Sequence, residues 1–183
     1  MLRGSRAINS TIRPFVEQGR LAHLLSLHLG NIKSSPTFSD STTEAHFARL
    51  LIFSSTNSDL NDEQEMDDVE NYPAAANSLR ASFLKVEATP EGESNTPPIW
   101  TWAVRLPASF IVRLGEKHIV PLVLVAHWCV LLAQVHHNWW IQGWVDQKMS
   151  EIKGCLPMEY HEWLRWPDDK IREMRVRQAM NGV

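Results

Sequence analysis

Residues 119–135 read IVPLVLVAHWCVLLAQV, an apolar run broken inside only by His127 and Gln134. A helix from Leu122 to Val135 is apolar almost all round, so other helices must cover every face of it. Pro121 falls in its first turn, where the missing N–H is tolerated, after a connection from Gly115 to His118. The run is shorter than the ~20 residues a membrane span needs, and no Lys/Arg cluster flanks it. It therefore predicts a buried core helix in an all-α domain.

On the C-terminal side, all eight tryptophans lie within Ile99–Val183. Each buried Trp removes roughly 150–250 Å² from water, which predicts a Trp-rich core over this half. Helices are expected over Asn138–Ile152, Met158–Leu164 and Asp168–Gln178, with Gly154, Pro157 and Pro167 as breaks. Trp140 and Trp144 are four apart, Trp163 and Trp166 three apart, so each pair can share a face. Core packing is the first reading of these pairs, and a pocket wall or interface is the second. Arg165–Arg177 mixes five basic with three acidic residues and reads as a solvated helix with i,i+3 or i,i+4 pairs.

On the N-terminal side, Leu21, Leu24 and Leu25 have helical spacing, with a break at Pro14 and a stop at Gly30-Asn31. Ser41-Thr42-Thr43-Glu44 offers a helix start with a carboxylate nearby, leading into Phe47, Leu50, Leu51 and Phe53. Seven acidic residues lie between Asp59 and Glu70 and precede a stripe of Tyr72, Ala75, Ala76, Leu79, Phe83 and Val86. Those three- and four-residue steps predict a helix of about four turns. Thr89–Pro98 (TPEGESNTPP) reads as a polar loop. The organisation expected is a single domain: N-terminal helices over 1–88, a linker at 89–98 and a helical core over 99–183. No strand-type alternation competes, and the whole predicts an irregular array of about seven to nine helices.

With 183 residues, 44% of them hydrophobic, the chain has the size of one globular domain. A formal charge of −3 supplies no global basic field of the kind that holds phosphate backbones, so direct DNA binding is not expected. The two cysteines, Cys129 and Cys155, read as reduced thiols, one buried and one peripheral. Arg3, Arg6 and Arg13, with no acidic residue before Glu17, superficially fit a mitochondrial presequence. The sequence carries no HExxH, nucleophile elbow or glycine-rich phosphate loop, so no catalytic residue and no cofactor is assigned.

A series of landmarks runs in fixed order along the second half. These are Phe110-Ile111, Pro121, Ala126-His127 followed by Trp128, Leu131-Leu132, Trp139-Trp140, Gly143-Trp144, Trp163-Leu164 and Trp166-Pro167. In this order they resemble the closing part of the helical effector domain of fungal binuclear zinc cluster transcription regulators, including the sterol-uptake regulator group. Leu2-Arg3-Gly4 and Tyr72–Arg80 (YPAAANSLR) are also similar to segments of that family. The chain departs from the family in having two distant cysteines instead of the six that hold two zinc ions, so the DNA-binding module is absent from it. The first half of the effector domain is missing by the same comparison, which points to a truncated product or a shortened paralogue.

The resemblance implies a nuclear regulatory module acting through other proteins or through the missing half of its domain, with a lipophilic, sterol-like ligand as a further partner. A stand-alone small-molecule binding protein, cytoplasmic or nuclear, and a mitochondrial helical protein remain the alternatives. The ligand-binding candidates are His127, Gln134, Trp140 and Trp144. His127, Gln134 and Asn138 stand at i, i+7 and i+11, one polar stripe on an apolar helix. A buried polar group needs a partner, and a ligand hydroxyl or a neighbouring carbonyl could serve His127 equally well in kind; the carbonyl is the commoner arrangement. His136-His137, with Glu151 or His161, could suggest a metal site. Adjacent helix residues point about 100° apart, which places the pair badly for one ion.

Overall fold

The computed structural model describes residues 36–57, 71–90, 96–135 and 139–181, and among these the chain is all-helical, without a strand. The expected helix around Leu21–Leu25, the acidic run at 59–70, the His136-His137 pair and Asn138 lie outside the described residues. Seven α-helices are described: α1 Ser41–Thr56, α2 Asn71–Glu87, α3 Thr96–Val104, α4 Ala108–Gly115, α5 Ile119–Leu132, α6 Trp139–Cys155 and α7 Glu162–Asn181, with a 3₁₀ turn at Met158–Tyr160 before α7. They fall into two compact units that meet in sequence between Glu116 and Lys117. The last residues of the polar segment 89–98 are helical, since α3 already begins at Thr96, and Trp100 and Trp102 belong to the first unit.

In the first unit, α2 packs against both α1 and α3. The stripe Tyr72, Ala75, Ala76, Leu79, Phe83 and Val86 is buried as its spacing predicts. Phe47 of α1 stacks on Phe38 at 5.0 Å between ring centroids and meets Phe83 of α2 at 4.9 Å. At the other end of α2, Trp102 donates its indole N–H to the Ala75 carbonyl at 2.8 Å, and Trp102 and Tyr72 both set an edge-to-face contact with Phe110. A buried indole needs an acceptor. The bond to Ala75 supplies one and fixes α3 against α2.

The start of α1 also differs in detail from its sequence reading. The N-cap is Asp40, whose carboxylate accepts from the backbone N–H groups of Thr42 and Thr43. An Asp is as good a cap as Ser, and its charge suits the positive helix end. Glu44 reaches back to the Phe38 N–H at 3.1 Å and across to Arg80 of α2 at 2.6 Å. Arg80 also lies over the Phe38 ring at 5.4 Å and donates to the Pro36 carbonyl, so residues 36–40 are strapped onto α2.

These contacts make the first unit acid-sensitive. Hydrogen bonds from Thr42 and Thr43 hold the Asp40 carboxyl far below its ordinary value, and the Phe38 N–H and then Arg80 hold Glu44 low. Burial, helped by Arg49, pushes His46 down to about 4. All three groups take up protons more readily when unfolded, so the stability linked to them is present at neutral pH and is lost as pH falls. The loss from His46 begins below about 6.5 and that from the carboxylates below about 4. Urea midpoints measured from pH 7 to pH 3 should fall for the wild type and fall less for Asp40→Asn with Glu44→Gln; equal slopes would contradict the assignment.

In the second unit, α5 packs against α6 and α7. Every residue of α5 from Val120 to Leu132 is buried, as a helix apolar all round requires. The connection before it turns through Lys117, whose φ of 66° lies in the left-handed region. The helix ends at Leu132, three residues earlier than the apolar run suggests. Gln134 and Val135 donate to Leu131 and Leu132, i→i−3 bonds that tighten the last turn out of the α-helical register.

Two expected breaks are helical. α6 continues through Gly154 to Cys155, and α7 runs through Pro167. Pro167 forgoes one backbone hydrogen bond. It sits buried near the helix start, on the same face as buried Leu164 and Ile171, so packing holds the helix together where propensity would end it. The charged face carries the expected i,i+3 pairs, Arg172–Asp169 and Lys170–Glu173, and Arg175 reaches Asp146 of α6 at 2.7 Å. Four tryptophan side chains of this unit are among the described residues. Trp128 is buried, whereas Trp144, Trp163 and Trp166 are half-buried around an aliphatic centre made by α5.

Candidate functional site

The sequence-derived candidates converge on α5 and its two neighbours. His127 is fully buried at the middle of the helix. Its Nδ1 lies 2.8 Å from the carbonyl of Val123, one turn earlier. A carbonyl only accepts, so Nδ1 carries the proton. The ring stacks on Trp166 of α7, 5.5 Å between centroids and 14° from parallel. The histidine thus satisfies one nitrogen within its own helix and uses its flat face to seat α7.

Gln134 does not continue a stripe from His127. It lies in the turn beyond α5, half-buried, because the helix has ended two residues before it. Trp140 stands on α6 one turn before Trp144, and its side chain is outside the described residues. Trp144 meets buried Trp128 edge to face at 6.1 Å. Its Nε1 is buried and has no acceptor among the described residues.

Next to Trp144 is a residue that sequence reasoning passed over. Lys148 is only 6% exposed. Its ammonium donates to Glu151 at 2.6 Å and lies 5.8 Å from the Trp144 ring centroid. Burial works to raise the Glu151 carboxyl, but hydrogen bonds from Lys148 and Gln147 hold it below the usual range. Burial pushes the Cys129 thiol of α5 up to about 12 against the opposing pull of the Lys148 charge. A thiol so protonated is a poor nucleophile and a poor metal ligand. The signal in the sequence was the spacing of Trp144, Lys148 and Glu151 at i, i+4 and i+7, which puts all three on one face of α6.

No family model, curated protein or solved structure matches this chain.

Among the described residues, no three His, Cys, Asp or Glu side chains stand together as a metal ion would require. Two residues that could have completed a site with His136-His137 are engaged elsewhere: Glu151 with Lys148, and His161 with the Leu156 carbonyl at 3.0 Å. Among the same residues, no single helix is long and apolar enough to cross a membrane.

Proposed function

We propose that this chain is a non-enzymatic, transcription-regulator-like effector module that works in the nucleus through contacts with other proteins and does not itself hold DNA. One observation carries the reading. The landmarks of the fungal regulator resemblance include Phe110, Pro121, Ala126, His127, Leu131, Leu132, Leu164 and Pro167, and each of these is buried. Of the other described landmarks Trp128 is buried too, Ile111, Trp144, Trp163 and Trp166 are half-buried and Gly143 is exposed. Many of the landmarks thus fall at packing positions, which supports the reading of a retained helical scaffold.

A lipophilic ligand, in this reading, would act by stabilising the second unit and so modulating those contacts. Of the four candidate positions, Trp144 is the best supported, through its buried indole N–H. His127 already engages Val123 and Trp166 and is better described as a packing residue. Large apolar side chains remain exposed for protein contacts, among them Ile52, Met158 and, one turn apart on α7, Val176 and Met180.

The test is a titration of the purified chain into labelled duplex DNA followed by fluorescence anisotropy. A net charge of −3 gives little counterion release on binding. The expected outcome is the absence of sequence-dependent binding in the ~10 nM range typical of specific regulators. Tight, sequence-dependent and steeply salt-dependent binding would overturn the reading.

A further inference from the structure

Three Ser/Thr-Pro pairs occur in the chain, Ser35-Pro36, Thr89-Pro90 and Thr96-Pro97. The two threonines flank the polar segment 89–98 and stand in different settings. Thr96 is the half-buried first residue of α3, and the chain after it is helical: Ile99 is fully buried, and Thr101 donates its hydroxyl to the Pro97 carbonyl at 2.7 Å. Thr89 lies beyond the end of α2, in a bend between exposed Ala88 and exposed Pro90. Pro90 has no backbone N–H with which to extend the helix. The Thr89 N–H bonds the Val86 carbonyl at 3.2 Å, and its hydroxyl donates to the Lys85 carbonyl at 2.7 Å. These bonds close the last turn of α2. Helix ends fray, and such opening presents an extended segment to an enzyme at Thr89 but not within α3.

We propose that Thr89 is the acceptor of a proline-directed protein kinase, and that its phosphate loosens the last turn of α2. The transfer joins Thr89 Oγ1 to the γ-phosphorus of ATP and breaks the bond from that phosphorus to the β,γ-bridging oxygen. ADP leaves with the electron pair, and the hydroxyl proton passes to the kinase's base. The product lacks the donor that the Lys85 carbonyl accepts. It also places a charge of about −1.5 to −2 at the negative end of the helix dipole, close in sequence to Glu87. Glu87 accepts from the Ser39 N–H at 3.1 Å, so repulsion there also bears on the strap formed by residues 36–40. Exposed Lys85, one turn back, offsets part of this repulsion. The same phosphate at Thr96 would meet the positive end of α3 and stabilise it, so the two threonines differ in the sign of the effect as well as in access. The inference concerns the first unit alone and does not depend on a role in transcription.

The experiment treats the full chain, in a Ser35→Ala background, with a purified proline-directed kinase and ATP and locates phosphate by tandem mass spectrometry. Phosphate is expected on Thr89, retained in Thr96→Ala and absent from residue 89 in Thr89→Ala. Hydrogen exchange at the Ala88 and Thr89 amides should quicken about fivefold in the modified chain, the scale of one lost helix-end interaction. Absence of phosphate from both threonines, or a preference for Thr96, overturns the proposal. Unchanged or slowed exchange in the chain modified at Thr89 overturns it as well.

Discussion

Shortening Leu124 to alanine should lower the stability of the second unit by about 2–5 kcal/mol, the range seen for large-to-small changes in packed cores. Leu124 is fully buried at the centre of α5, a helix with no exposed face on which the structure could collapse to fill the gap. Both the lost transfer energy and the residual cavity then count. In urea this corresponds to a fall in midpoint of about 1 M or more, with little change in slope. Ile52→Ala on α1 is the control: its side chain is 67% exposed, and a change of only a few tenths of a kcal/mol is expected. A Leu124→Ala midpoint within error of wild type would mean that α5 is not packed on all sides.

Trp102→Ala should have an effect of similar or larger size in the first unit, about 3–5 kcal/mol. Trp102 is 1% exposed, donates to Ala75 at 2.8 Å and sets an edge-to-face contact with Phe110. Removing it takes away the anchor between α2, α3 and α4 at one stroke. Trp102→Phe separates the two contributions, because it keeps most of the ring and deletes the donor. It should cost about 1–2 kcal/mol more than area alone explains, since the hydrogen bond is buried. Far-UV circular dichroism and urea unfolding of both variants check this; a phenylalanine variant as damaged as the alanine one would place the energy in the hydrogen bond instead of the ring.

The all-α class and several individual helices could be read from the residues because their signals are local. The spacing of Tyr72 through Val86 set the buried face of α2, and the composition of 119–132 announced that α5 would be enclosed. The connection at Gly115–His118 and the first-turn place of Pro121 followed from backbone rules that need no tertiary information.

What could not be read depends on distant partners. Pro167 and Gly154 carry strong local penalties, yet burial of Leu164, Pro167 and Ile171 on one face overrides the first, and the second merely lies in a final turn. The tryptophan count suggested one Trp-filled core, but Trp100 and Trp102 serve a different unit from Trp128 and Trp144. Where the chain divides is a property of contacts and leaves no mark in composition.

The candidate site shows the same split. His127 stood out as the polar group inside the most apolar helix, and its burial follows from that; its partner, a carbonyl of its own helix, could not be chosen over a ligand from spacing alone. Gln134 was aligned with it only if the helix continued, and the i→i−3 bonds after Leu132 end that register. Lys148 was passed over because a lysine on a helix is ordinarily solvated. Its enclosure arises from Trp144 beside it and α5 beneath it, neither visible in the lysine's own neighbourhood of sequence.

The most direct measurement of the central claim is a tethered reporter assay. The whole chain is fused to an unrelated DNA-binding domain in a fungal host, and expression from a promoter carrying that domain's site is compared with the DNA-binding domain alone. The proposed function predicts a change in expression that disappears with Leu124→Ala, which loosens the second unit, and persists with Ile52→Ala. Expression indistinguishable from the DNA-binding domain alone, with the fused protein present and folded, would contradict an effector role.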